Sequence, residues 1–245
     1  VEHELWLVTP AFQRLAMTAV CLRQRRELCD ALSDAGIAAT CVVVANDENL
    51  ELAAELGFHT VEVNNSWLGR KFSAGYKYAL ARGATHLMPI GSDSWMDPAV
   101  VLALDLSLPV LWGTERLTSV RPDGQERLEL RFRNTIGFGI ASVYPRASMA
   151  DVPYPCAPNI KRGCDTSTYN RTARAKGMET RYSDVHPHEY TDFKSPDVQV
   201  TKYDVLKARW RRNTVKSVTG DEVFDGLVPT YGAELVAELR GVYGL

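Results

Sequence analysis

The residue best placed to do chemistry in this chain is Asp93, in the segment Ile90-Gly91-Ser92-Asp93-Ser94. A carboxylate delivered by an apolar strand into a turn opened by glycine can hold a divalent cation through oxygen. Such a cation neutralises a departing diphosphate without taking up a proton. The same position equally suits a helix N-cap. Arg70 and Lys71 are cations that suit phosphate contact as well as the solvated first turn of a helix. Trp67 and Trp95 flank Asp93 in sequence, and an aromatic face can stack on a base or a sugar, although core packing is the commoner fate of tryptophan. His186 and His188 stand two residues apart, a spacing open to metal ligation and to an ordinary surface turn.

The elements that must position these groups follow from periodicity. Leu5 to Thr9 reads as a strand ended by Pro10, and Leu15 to Ala35 as a helix stopped by Gly36. Thr40 to Val44 is a continuous apolar run, as expected of a strand buried on both faces, and Asn46-Asp47-Glu48-Asn49 follows at its carboxyl end. A helix over Leu50 to Leu56, a strand over His59 to Val63, a helix over Arg70 to Arg82 and a strand over Thr85 to Ile90 continue the alternation. That order predicts an open, mostly parallel sheet with right-handed crossovers. In the second half, Val110 to Val120 and Glu126 to Arg133 flank the turn Arg121-Pro122-Asp123-Gly124 and predict a hairpin. Asp165 to Lys176 reads as a helix, Glu179 to Val185 as a strand and Tyr203 to Val218 as a terminal helix. The expected organisation is one catalytic domain over residues 1–200, with a helical C-terminal appendage over 201–245 packed on it.

Of the 245 residues, 45% are hydrophobic and 24% charged, which suits a folded globular chain whose single core can still grow at this length. The net charge of −2 gives no global field for nucleic acid or an anionic membrane. The basic cluster Lys207, Arg209, Arg211, Arg212 and Lys216 around Trp210 fits the solvated face of a helix or a local contact surface. Cys21, Cys29, Cys41, Cys156 and Cys164 lack close pair spacing and read as reduced thiols. With no apolar run of about 18–20 residues and no basic-apolar leader, a cytoplasmic protein without a transmembrane segment is expected.

The order of these blocks resembles family 2 glycosyltransferases and their GT-A relatives over roughly the first 190 residues. Val8-Thr9-Pro10-Ala11-Phe12-Gln13-Arg14 is similar to the opening strand and turn of that family, whose loop helps hold the nucleotide. Val42 to Asp47 is similar to its second strand, which ends in an acidic base-recognition segment. Asn65 to Gly69, with Lys71-Phe72-Ser73-Ala74-Gly75 and Ala79, resembles the stretch before the metal strand, and Ile90 to Ser94 occupies the place of the D-x-D metal motif. Gly91 stands where that motif has its first aspartate, and Ser94 where an acidic residue often follows.

The resemblance implies a GT-A (Rossmann-like) α/β fold with an acceptor-side half that contains the hairpin. It implies an inverting, hexosyltransferase-like transfer of sugar from a nucleotide-diphosphate donor, a UDP-sugar being one such, to an acceptor hydroxyl. The donor site it implies comprises Thr9, Pro10, Phe12, Arg14, Asn46, Asp47, Asn65, Gly69, Lys71, Ser92, Asp93 and Trp95. Mn2+ or Mg2+ would be held by Asp93 with His188 or His186, unless Arg70 or Lys71 neutralises the phosphates instead. Asp165, after Gly163-Cys164, is the implied general base, a role compatible with an N-cap. Gly137-Phe138-Gly139 resembles the acceptor-side loop. The acceptor is open among protein, glycan, small molecule and modified nucleic acid.

Other nucleotide-using classes lack their signatures. Thr9 to Gln13 contains no glycine for a dinucleotide-binding turn, and the chain has neither a Gly-Lys-Ser/Thr phosphate loop nor a Gly-x-Ser-x-Gly elbow. A nucleotidyltransferase, and a GT-A-like binding protein without turnover, are the remaining alternatives.

Overall fold

The structure is a computed structural model, and it describes residues 3–64, 67–131, 142–161, 163–183, 189–194, 203, 207–208, 211 and 213–245. Its first half is the alternation expected: β1 (Glu4–Pro10), α1 (Leu15–Asp34), β2 (Ala38–Ala45), α2 (Asn49–Glu55), β3 (His59–Glu62), α3 (Leu68–Ala81) and β4 (His86–Pro89). These strands lie in the order β3-β2-β1-β4, all parallel, and β9 (Tyr144–Pro145) adds an antiparallel edge beside β4.

The apolar run of β2 has the reason inferred for it. Cys41, Val43 and Ala45 join the core under α1 and α2, whereas Val42 and Val44 join the one under α3. β1 alternates likewise, Leu5 and Leu7 to one side and Trp6 and Val8 to the other. A strand with no solvated face has no use for a polar residue, and all five residues from Cys41 to Ala45 are fully buried.

The second half builds a separate sheet from β5 (Ser94–Met96), β7 (Arg116–Val120), β8 (Glu126–Arg131), β11 (Tyr190–Phe193) and β12 (Thr214–Thr219), in the order β12-β8-β7-β11-β5. The predicted hairpin is β7-β8, antiparallel, turning through residues 121–125. β6 (Leu111–Thr114) is a separate strand; it pairs in parallel with β10 (Thr180–Ser183), and Trp112 bridges to Val143 next to the first sheet. The fold is thus α/β, with a parallel sheet between helices and a mainly antiparallel second sheet.

Of the terminal helix expected over Tyr203 to Val218, Tyr203, Lys207 and Ala208 are helical, but the helix does not reach Val218. Thr214–Thr219 is instead β12, antiparallel to β8, with a register irregularity between Thr214 and Lys216. Thr214, Val215 and Val218 are β-branched, and pairing on the edge of β8 outweighs the helical spacing of the basic residues. Three helices follow, α7 (Glu222–Asp225), α8 (Val228–Tyr231) and α9 (Ala233–Val242). α9 places Leu235, Val236 and Leu239 against Met17, Val20 and Cys21 of α1. Of the basic cluster, Lys207 pairs with Glu126 and Lys216 with Glu222, while Arg209, Trp210 and Arg212 lie outside the described residues.

Candidate functional site

The carboxyl ends of β1, β2 and β4 meet at one edge, and the loops there are tied together. After β1 the chain turns through Gln13 and Arg14, both at φ 52°, two successive non-glycine residues in the left-handed region. Each such residue costs about 1–3 kcal/mol, so the surroundings must impose the conformation. Asp47 does part of this, its Oδ2 accepting from the Gln13 amide at 2.9 Å. Asn49 does another, donating Nδ2 to the Gln13 carbonyl at 3.2 Å and to Asp47 Oδ1 at 2.7 Å. Lys71 of α3 donates Nζ to the Ala11 carbonyl at 2.6 Å and lies 5.3 Å from the centre of the Phe12 ring.

The strained turn aims Arg14 at the end of β4. Arg14 is the N-cap residue of α1 but makes no side-chain cap there. Its guanidinium reaches Asp93 Oδ2 at 2.5 Å and donates to Ser92 Oγ at 3.0 Å. The Asp93 amide region is fixed from the other sheet, where the Phe193 N–H donates to the Asp93 carbonyl at 2.7 Å. That contact brings β11 alongside, with Asp192 ion-paired to Lys194. Two cations, Arg14 and Lys194, therefore share one place with two carboxylates, Asp93 and Asp192, all with side chains at most 19% exposed.

The electrostatics follow from that crowding. Burial pushes the Asp93 carboxyl up, but Arg14 and then Lys194 outweigh it and hold Asp93 below the usual carboxylate range. Asp192 goes the other way: burial, partly offset by Lys194 and reinforced by the Asp93 charge, raises it. Burial tends to discharge Arg14 and Lys194, yet the carboxylates prevail and both cations are held more firmly protonated than in water. Asp192 and Lys194 were not singled out from the sequence. The signal available was their spacing of two on one face of a strand.

Gly91, at the place of the first aspartate of D-x-D, is closely packed. A Cβ there would lie 2.8 Å from Asp93 Oδ1 and 2.9 Å from Ser94 Oγ, and Arg25 donates to the Gly91 carbonyl at 2.6 Å. Among the described residues no group of three His, Cys, Asp or Glu side chains could hold a metal ion, and His186 and His188 lie outside those residues. Asp97 caps α4 (Pro98–Leu102), its Oδ1 accepting from the Ala99 amide at 2.8 Å.

Of the other predicted positions, Asn46 is exposed at the end of β2 and Phe12 is exposed on the β1 loop. Thr9 and Pro10 are buried and shape the edge through backbone. Lys71 is 2% exposed and supports the loop from beneath. Gly69 is covered by the 157–160 segment, with its amide donating to the Ile160 carbonyl at 3.1 Å. Trp95 is fully buried with its ring edge-on to Phe193 and Tyr231, which corrects its assignment as a stacking platform: a side chain at the centre of a core has no face to offer a ligand. Asn65 and the Gly137–Gly139 loop lie outside the described residues.

Asp165 sits in the first turn of α6 (Cys164–Arg171), whose N-cap is Gly163 at φ 67°, not Asp165. A carboxylate inside the first turn is favoured by the helix dipole. Ser73 of α3 donates to the Cys156 carbonyl at 2.7 Å, and Cys156 Sγ reaches the Cys164 carbonyl at 3.6 Å, so the start of α6 is anchored to the side of α3. Burial and the nearby Asp165 charge together push the Tyr144 phenol well up.

No protein-family model and no curated protein matches the sequence, so likeness to known proteins rests on structure. A mannosyltransferase from Pyrobaculum calidifontis, solved with GDP-Man and Mn2+, superposes with a TM-score of 0.54 at 11% identity over 99% of this chain and 74% of that one. A mutant Drosophila β1,4-galactosyltransferase 7 with manganese, UDP-Gal and xylobiose gives 0.51 at 9% identity over 90% and 78%. TarS 1–349 from S. aureus with UDP gives 0.53 at 12% identity over 79% of this chain. The fold is of the GT-A kind. This chain spans 61% of that TarS fragment, and the likeness is one of fold. No helix among the described residues is long and apolar enough to cross a membrane.

Proposed function

We propose that the chain transfers a sugar from a nucleotide-diphosphate donor to an acceptor hydroxyl. The observation that carries this reading is the convergence of Arg14, Ser92 and Asp93 at the carboxyl edge of a GT-A-type sheet, where open α/β sheets hold their ligands. The structural neighbours solved with GDP-Man and UDP-Gal support the choice of donor class. In this reading the exposed Asn46 and the Phe12 rim contact the nucleoside, and the diphosphate lies over Arg14 and Asp93.

The transfer is inverting. The acceptor oxygen attacks the anomeric carbon from the face opposite the diphosphate, a glycosidic C–O bond forms, and the C–O bond to phosphate breaks. The electron pair leaves with the diphosphate, while Asp165 takes the hydroxyl proton. The cationic edge stabilises the charge that develops on the leaving phosphate.

Incubation of the purified chain with UDP- and GDP-sugars, with release of nucleoside diphosphate as the readout, tests this. Acceptor-stimulated release supports it. Binding without release would make the chain a nucleotide-sugar binding protein, and pyrophosphate release from a nucleoside triphosphate and a sugar phosphate would make it a nucleotidyltransferase.

A further inference from the structure

The charges around Asp93 do not suit the divalent cation that the D-x-D resemblance implies. A resident dication needs a site with surplus negative charge and several free oxygen ligands. Here Gly91 supplies no carboxylate, and the space its side chain would need is occupied by Asp93 and Ser94. The Asp93 carboxylate that remains receives Arg14, and its neighbour Asp192 receives Lys194. Among the described residues, two cations against two carboxylates leave the cluster balanced before any ligand arrives.

We propose that Arg14, steadied by Asp93 and seconded by Lys194, takes the place of the metal, so that this chain binds a nucleoside diphosphate without a divalent cation. The inference rests on the nucleotide-sugar reading above and specifies how its leaving group is held. A guanidinium carries five N–H donors. Arg14 spends one on Asp93 and one on Ser92, which leaves a second N–H on each terminal nitrogen, while its Nε is buried with no hydrogen-bond partner among the described residues. Donors thus remain for phosphate oxygen while the Asp93 contact persists, and the planar fork matches a phosphate in a way a lysine does not. The strained turn at Gln13 and Arg14 fixes the guanidinium at the edge, with Asp47 and Asn49 holding the backbone that carries it. Arg14 and Lys194 each lie against a carboxylate, at Asp93 and Asp192, so two cationic side chains already stand at the edge before the donor binds.

The test is calorimetric titration of the full chain with UDP and with GDP, in EDTA and in MnCl2, with uridine and guanosine as controls. The dissociation constant for the diphosphate that binds should agree within about twofold between the two buffers. Arg14→Met should weaken that diphosphate by about tenfold or more and leave its nucleoside unchanged, and Arg14→Lys should fall between. Arg14→Met also leaves surplus negative charge at Asp93 and Asp192, so its residual binding should become stronger with manganese.

Diphosphate binding by the wild-type chain only when manganese is present would overturn the proposal and leave the nucleotide-sugar reading standing. Binding of neither diphosphate in either buffer would overturn both. The wild-type comparison decides the matter even if an Arg14 variant fails to fold.

Discussion

Gly69 stands in a block whose family resemblance points to the nucleotide, and the structure gives it a packing task. A Cβ at this position would lie 1.9 Å from the Ala157 carbonyl oxygen and 3.1 Å from Ile160 Cγ1. Restoring an ordinary contact of 3.4 Å would drive the 157–160 backbone about 1.5 Å off the start of α3. That movement breaks the Gly69–Ile160 hydrogen bond of 3.1 Å, worth about 0.5–1.5 kcal/mol, and adds overpacking of about 1–3 kcal/mol. Alanine returns about 0.5–1 kcal/mol through its better helix propensity. Gly69→Ala should therefore destabilise the chain by about 2 kcal/mol, a fall in Tm of about 4–8 °C for a protein of this length.

Differential scanning calorimetry against Gly241→Ala makes the comparison sharp. Gly241 also lies in a helix, but a Cβ there meets nothing within 4 Å, so the same substitution should raise Tm slightly. Equal Tm values for the two variants would refute the close approach. Because the 157–160 segment leads into α6, the Gly69→Ala protein should also lose transfer activity more than nucleoside diphosphate affinity.

Asp165→Asn should abolish most sugar transfer while leaving diphosphate affinity within about twofold, and an unchanged rate would remove Asp165 as the base. Trp95→Ala should cost about 3–5 kcal/mol in urea unfolding, as a fully buried ring leaves a cavity; loss of nucleotide affinity at unchanged stability would restore Trp95 to the donor site. Burial and the neighbouring His3 lower His86 from 6.5 to about 4, so the folded chain binds fewer protons than the unfolded chain between those values. Its contribution to stability is present above pH 6.5 and is lost as pH falls through about 4. His86→Gln should flatten that part of the urea-midpoint profile, and an identical profile would show that His86 is not responsible.

The parallel sheet was readable because β1, β2 and β4 satisfy both faces with unbroken apolar residues, and Asp93 was readable as the polar residue that such a strand delivers. Its partnership with Arg14 was not, since 79 residues separate them and local periodicity carries no information about which loops meet at an edge. Asp192 and Lys194 were hidden for a related reason. Charged residues alternating along a strand read as a solvated face, and here that face is turned into the junction with the first sheet. The end of the helix expected over Tyr203 to Val218 shows the other limit. Thr214 to Thr219 gains its conformation by pairing with β8, about 90 residues earlier in the chain, and that partner outweighs local propensity.

The packing of α9 on α1 sets a condition on synthesis. Met17, Val20 and Cys21 leave the ribosome more than 200 residues ahead of Leu235, Val236 and Leu239, which pack against them. At about 5–20 residues per second that interval lasts roughly 10–40 seconds. Throughout it, the apolar side of α1 has only the earlier members of its cluster, Trp95, Val120 and Phe193, to settle against as they emerge, and the parallel sheet must hold that helix in place until α9 follows.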